Sequence, residues 1–91
     1  MNTITIDCAE VTTEADFWEL YLKCTNPVHG DYFGRNLDAF WDALAGGPGF
    51  PGEVALAFIN TKSIRDIRDG AFYAALKDIA SDCETVPIAV E

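Results

Sequence analysis

Two aspartates four residues apart, Asp38 and Asp42, are the side chains in this sequence best placed to do chemistry. On a helix that spacing sets them one turn apart on the same side. Such a pair can accept hydrogen bonds from a basic partner, act as an acid–base pair, or contribute to a divalent-cation site. Little surrounds the catalytic options. His29 is the single histidine, and the chain has no G-x-G-x-x-G, Walker loop, G-x-S-x-G or H-E-x-x-H motif. Two carboxylates alone do not complete a coordination shell. The pair also fits a plain solvated helix face. Like charges at i, i+4, however, destabilise a helix by roughly 0.2–0.5 kcal/mol, and the dipole disfavours Asp42 near the C-terminal end.

The element that must position them is YFGRNLDAFWDALAGG, Tyr32 to Gly47. Asn36 is a good N-cap, because its side-chain oxygen can take a free N–H of the first turn. Gly46 and Gly47 end the helix and Pro48 prevents its continuation. Leu37, Phe40 and Leu44 are spaced as a buried stripe, and Trp41 falls between that stripe and the acidic side. The loop before it, from Asn26 to Arg35, delivers two aromatics. Phe33 is expected to pack inward, and Tyr32, with an apolar ring and a polar tip, to be a contact residue.

Composition narrows the possible partners. The 91 residues suffice for one domain, 1–91, with a modest core, and 49% of them are hydrophobic. Fifteen acids against six bases give a formal charge of −9. Such a surface repels phosphate backbones and acidic lipid, so neither direct nucleic-acid binding nor membrane attachment is expected; a basic protein or a cation suits it. Cys8, Cys24 and Cys83 are odd in number and lack C-x-x-C spacing, so they read as free thiols of a reducing, cytoplasmic compartment. The N-terminus has no signal-peptide pattern and no stretch is long enough to span a bilayer. No metal and no cofactor are expected.

Along the chain, Thr3 to Asp7 alternates as a first strand. Thr13 and Asp16 resemble a capping box opening a helix from about Glu14 to Lys23, which buries Phe17, Leu20, Tyr21 and Cys24 and is stopped by Thr25-Asn26-Pro27. Glu53 to Ile59 is a nearly continuous apolar run, expected as a central buried strand. Asn60 to Arg68 can form a short helix with Ile64 and Ile67 inward. Another opens at Asp69 or Gly70, buries Phe72, Ala75, Leu76 and Ile79, and closes at Ser81-Asp82. Thr85 to Val90 reads as a last strand, with Pro87 at an unpaired position. Strands separated by helices favour parallel pairing, so the expected fold is α/β: a three-stranded parallel sheet packed against about four helices.

The Tyr32–Gly47 segment resembles the signature of the barstar family, intracellular inhibitors of barnase-type ribonucleases, where the matching stretch reads YYGENLDALWDCLTGW. The shared frame is Tyr32, Gly34, Asn36, Leu37, Asp38, Ala39, Trp41, Asp42, Leu44 and Gly46. The resemblance implies a non-enzymatic, barstar-like protein that blocks the phosphate site of a basic ribonuclease or nuclease toxin in a 1:1 complex. Asp42 would be the central plug, meeting the arginines and histidine that hold RNA phosphate. Asp38 would meet an arginine at the cleft mouth and Tyr32 would stack on the catalytic histidine. Gly34, Asn36, Trp41, Ala45 and Gly46 would line the contact, with Asp78 loosely matching a peripheral glutamate. Ala45 replaces a threonine, Gly47 a tryptophan and Arg35 a glutamate; Arg35 is expected to pair with Asp31 or Asp38. Two other readings stand beside this one: a barstar-fold module for a non-ribonuclease partner, and a small metal-dependent hydrolase using Asp38, Asp42 and His29.

Overall fold

The computed structural model describes residues 2–91. Its elements are β1 (Asn2–Asp7), α1 (Glu14–Thr25), α2 (Leu37–Leu44), β2 (Val54–Ile59), α3 (Ala71–Asp82) and β3 (Ile88–Val90), with 3-10 turns at Gly30–Tyr32, Thr61–Ile64 and Ile67–Gly70. The sheet order is β1-β2-β3 with both pairings parallel, Ile6 opposite Phe58 and Leu56 opposite Ile88. β2 is central as its composition requires. Leu56 and Phe58 are fully buried, while Ala55, Ala57 and Ile59 are half-buried, so the sheet buries one face deeply and the other partly.

Among the described residues three α-helices form, not the four expected. The Asn60–Arg68 segment folds as 3-10 turns bounded by left-handed residues, Asn60 at φ 53° and Arg68 and Asp69 at 53° and 55°, past which an α-ladder cannot continue. Its polar side chains bond elsewhere: Thr61 Oγ1 donates to the Glu91 carbonyl at 2.6 Å, and Ser63 Oγ donates to the Cys8 carbonyl. Ile64 is nonetheless fully buried, whereas Ile67 is half-buried. β3 is shorter than its apolar run; Pro87 precedes it, and the Pro87 carbonyl accepts the Leu56 N–H at 2.8 Å. At the start of α1, the Asp16 N–H donates to Thr13 Oγ1 at 3.1 Å, as the cap motif requires.

Aromatic rings fill the core. Trp18 lies within 4.8–6.2 Å, centroid to centroid, of Phe17, Tyr21, Phe33, Phe40 and Phe72. Tyr21 reaches past this cluster, and its hydroxyl donates to the Gly49 carbonyl at 2.8 Å. Gly49 has φ +91°, and a Cβ there would sit 2.7 Å from the Phe33 ring. Gly49→Ala is therefore expected to destabilise the fold by about 2 kcal/mol or more, combining a disfavoured backbone with overpacking; urea unfolding measures it, and an unchanged midpoint would show that Phe33 moves freely.

All three cysteines are free thiols. Cys8 is buried, and its Sγ lies 3.7 Å from the Ile6 carbonyl. Burial, with the nearby Asp7 charge, pushes the thiol up to about 11 from an ordinary 9.0. The unfolded chain releases this proton first. The Cys8 contribution is therefore complete below pH 9.0 and is lost as pH rises through about 11. Comparing wild type with Cys8→Ala, the wild type should lose its stability margin across that window, and labelling at neutral pH should reach Cys24 and Cys83 before Cys8.

Candidate functional site

The start of α2 is fixed by its own sequence. Asn36 Oδ1 accepts the Ala39 N–H at 2.7 Å while Asn36 Nδ2 donates to the Gly34 carbonyl at 3.2 Å. A Cβ on Gly34 would lie 2.9 Å from the Ala39 Cβ, so the loop backbone packs directly on the first turn. At the other end, the Gly47 N–H donates to the Asp42 carbonyl at 2.9 Å and the Gly46 N–H to the Ala43 carbonyl at 3.0 Å. These are the paired bonds of a Schellman ending, with Gly46 at φ +108°. A Cβ at 47 would meet the Asp42 carbonyl oxygen at 2.9 Å. Glycine at that position thus permits a close turn against the backbone of Asp42.

Between these stops, Phe40, Ala43 and Leu44 are buried and Leu37 is half-buried. Asp38 and Asp42 are exposed, and Trp41 is 46% exposed. α2 packs beside α3, and a shallow groove between them is lined by Leu37, Asp38, Trp41 and Asp42 on one helix and Ala75, Asp78 and Ile79 on the other. Three carboxylates therefore share a groove with apolar residues and an indole, and none of its lining residues is basic. Carboxylates so exposed can take a bidentate fork from a guanidinium.

The other expected site residues lie around this groove. Tyr32 is 76% exposed on the Gly30–Tyr32 turn, while its neighbour Phe33 is buried and anchors that turn. Tyr32 lines a separate concavity with Glu19, His29, Asp31 and Arg35. Arg35 does not pair with Asp31 or Asp38. Held at φ +55°, it reaches α1 instead, where its guanidinium meets Glu19 at 3.0 Å. Gly34 and Asn36 contribute through the cap, Gly46 through the helix stop, and Ala45 is exposed beside Trp41. One exposed apolar residue escaped the sequence reading. Val28 is 74% exposed in the loop before Tyr32, and no periodicity marks it. Among the described residues, no three His, Cys, Asp or Glu side chains converge to hold a metal ion.

A parallel α/β domain that displays an acidic, aromatic-bearing helix face has a surface suited to a basic protein partner. The family model described as Barstar (barnase inhibitor) matches residues 1–87, and the chain belongs to that family. Membership implies an inhibitor of barnase-type ribonucleases that works by binding and is not itself an enzyme, which removes the hydrolase reading. Comparison with curated proteins gives no significant match. No helix among the described residues is long and apolar enough to cross a membrane.

Because the Asn36 cap sets the entry to α2, Asn36→Ala should destabilise the protein by about 1 kcal/mol, and Asn36→Asp by much less. Equilibrium urea denaturation measures both; equal losses would mean that the side-chain oxygen is not what matters.

Proposed function

We propose that the chain is a cytoplasmic immunity protein that binds one basic barnase-type ribonuclease and fills its phosphate-binding site with α2. The observation that carries the reading is the groove in which Asp38, Asp42 and Asp78 stand around Trp41 without a basic neighbour among the lining residues. A nuclease active site holds arginine, lysine and histidine to grip phosphate. A carboxylate offers the same pair of acceptor oxygens, and Asp42 takes the central place. Asp38 and Asp78 meet cations nearer the mouth, Tyr32 stacks on the catalytic histidine, and Gly34, Asn36, Ala45 and Gly46 shape the rim.

The surrounding charge adds speed. A net −9 on 91 residues draws a basic partner in, and the barnase–barstar pair is itself the reference case for such steering. Arg35 and Ala45 alter the rim and leave the plug intact, which favours a cognate nuclease whose rim differs from that of barnase.

The test is titration of barnase-catalysed RNA cleavage with wild type and Asp42→Ala at low and moderate salt. Wild type should inhibit stoichiometrically. The variant should fold normally and bind more weakly by more than about 2 kcal/mol, as central hot spots do. The wild-type on-rate should fall as salt rises. Equal inhibition by Asp42→Ala would overturn the assignment of the plug. A family member that inhibits no basic nuclease would be a binding module for another partner.

A further inference from the structure

Trp41 borders two depressions. Besides the acidic groove, it walls a pocket with Leu44 and Ala45 on one element and Asp82, Cys83, Glu84 and Thr85 on the other. α2 ends at Leu44 and α3 at Asp82, so two helices bring their C-terminal ends to the same pocket. Each end carries the negative pole of its dipole, equivalent to about half an elementary charge. Neither last turn contains a basic residue. Asp82 and Glu84 add two exposed carboxylates, and Asp82 stands at the last position of α3, where a negative charge opposes the helix dipole. Every electrostatic contribution has one sign, and stability alone would favour the opposite residues.

The pocket is also held in shape. The Thr85 hydroxyl donates to the Leu44 carbonyl at 2.7 Å, joining the turn after α3 to the end of α2. The Cys83 N–H closes α3 on the Ile79 carbonyl at 2.9 Å.

We propose that this pocket receives an arginine side chain from the basic protein that α2 binds. The inference rests on the reading of α2 as the inhibitory face and extends that face past Trp41. Ala45 and the indole, both exposed, offer apolar surface to an aliphatic stem, and the flat guanidinium can stack on the ring. Its charged head then meets Asp82 and Glu84 in a field set by two helix ends. Lysine, a compact ammonium without a plane to stack, fits less well. A second copy of the chain, itself carrying −9, is repelled.

The experiment uses the intact, isotope-labelled chain. It is titrated by NMR with N-acetyl-arginine amide and, separately, with the uncharged citrulline analogue. Arginine amide should shift the Trp41 indole and the backbone amides of Ala45 and Asp82 to Thr85, citrulline should not, and the shifts should vanish in the Asp82→Asn/Glu84→Gln double variant. Both carboxylates are exposed, and removing charge from the α3 terminus relieves its dipole, so the variant should fold; thermal unfolding confirms it. Equal shifts with citrulline, shifts confined to the Asp38–Asp42–Asp78 groove, or concentration-dependent shifts of the same amides without any probe would overturn the proposal. In barnase inhibition, the double variant should be weaker by about tenfold; inhibition equal to wild type would also overturn it. If wild type does not inhibit barnase, the cognate nuclease is a different one and the arginine titration alone decides the pocket.

Discussion

Trp18 is the contact on which the acidic face depends. Its indole, on α1, packs against Phe33 of the loop before α2, against Phe40 of α2 itself and against Phe72 of α3. Those three elements carry Tyr32, Asp42 and Asp78. Aromatic pairs, two of these edge-on and that with Phe40 tilted, contribute about 0.5–1.5 kcal/mol each beyond area burial, so one side chain couples all three to the core. The arrangement leaves the Trp18 indole N–H buried without a hydrogen-bond partner among the described residues. An unmade hydrogen bond of this kind costs about 1–3 kcal/mol. The fold tolerates that loss where the ring touches five other aromatics and fixes the relation between two helices and a loop.

No basic residue lines the acidic groove. Four of the six lie between Lys62 and Lys77. Arg65 and Lys77 sit over the Tyr73 ring at 5.2 and 5.4 Å, and Arg68 pairs with Glu14 at 2.7 Å. Arg35, nearest in sequence to α2, is turned onto Glu19. Each of these contacts is at least partly exposed and worth little to stability, roughly 0–1 kcal/mol. Arg35, the cation nearest α2 in sequence, is thereby engaged with Glu19 and leaves Asp38 and Asp42 unneutralised by it.

The parts of the fold governed by local rules were legible in the sequence. α2 has its cap, its stripe and its stop written in adjacent residues, and the structure begins and ends it at Leu37 and Leu44. The central strand was legible from its apolar run, and Tyr32 against Phe33 from the polarity of one hydroxyl. What depended on distant partners was not. Asn60 to Arg68 has enough apolar spacing for a helix, but Ser63 and Thr61 bond the Cys8 and Glu91 carbonyls, and left-handed residues bracket the turns. Arg35 had two carboxylates near it in sequence and took a third from α1, sixteen residues away. Asp78 could be placed on a helix, but its position across a groove from Asp38 and Asp42 follows from how α2 and α3 pack.

The acidic face is assembled against the protein's own stability. Asp38 and Asp42 repel each other along α2, Asp78 adds a third charge across the groove, and Asp82 opposes the dipole of its helix. Exposure to water keeps each penalty small, about 0.2–0.5 kcal/mol for like charges at i, i+4, and salt weakens it further. In the proposed complex, a basic cleft closing over this face would remove that screening and replace repulsion with paired, hydrogen-bonded charges. α2 is capped at both ends and packed on Trp18 through Phe40, so its backbone is already placed and only the short aspartate side chains remain to be ordered on association. A rigid, self-repelling surface is therefore a poor way to stabilise a monomer and a good way to make binding of the oppositely charged partner strongly favourable.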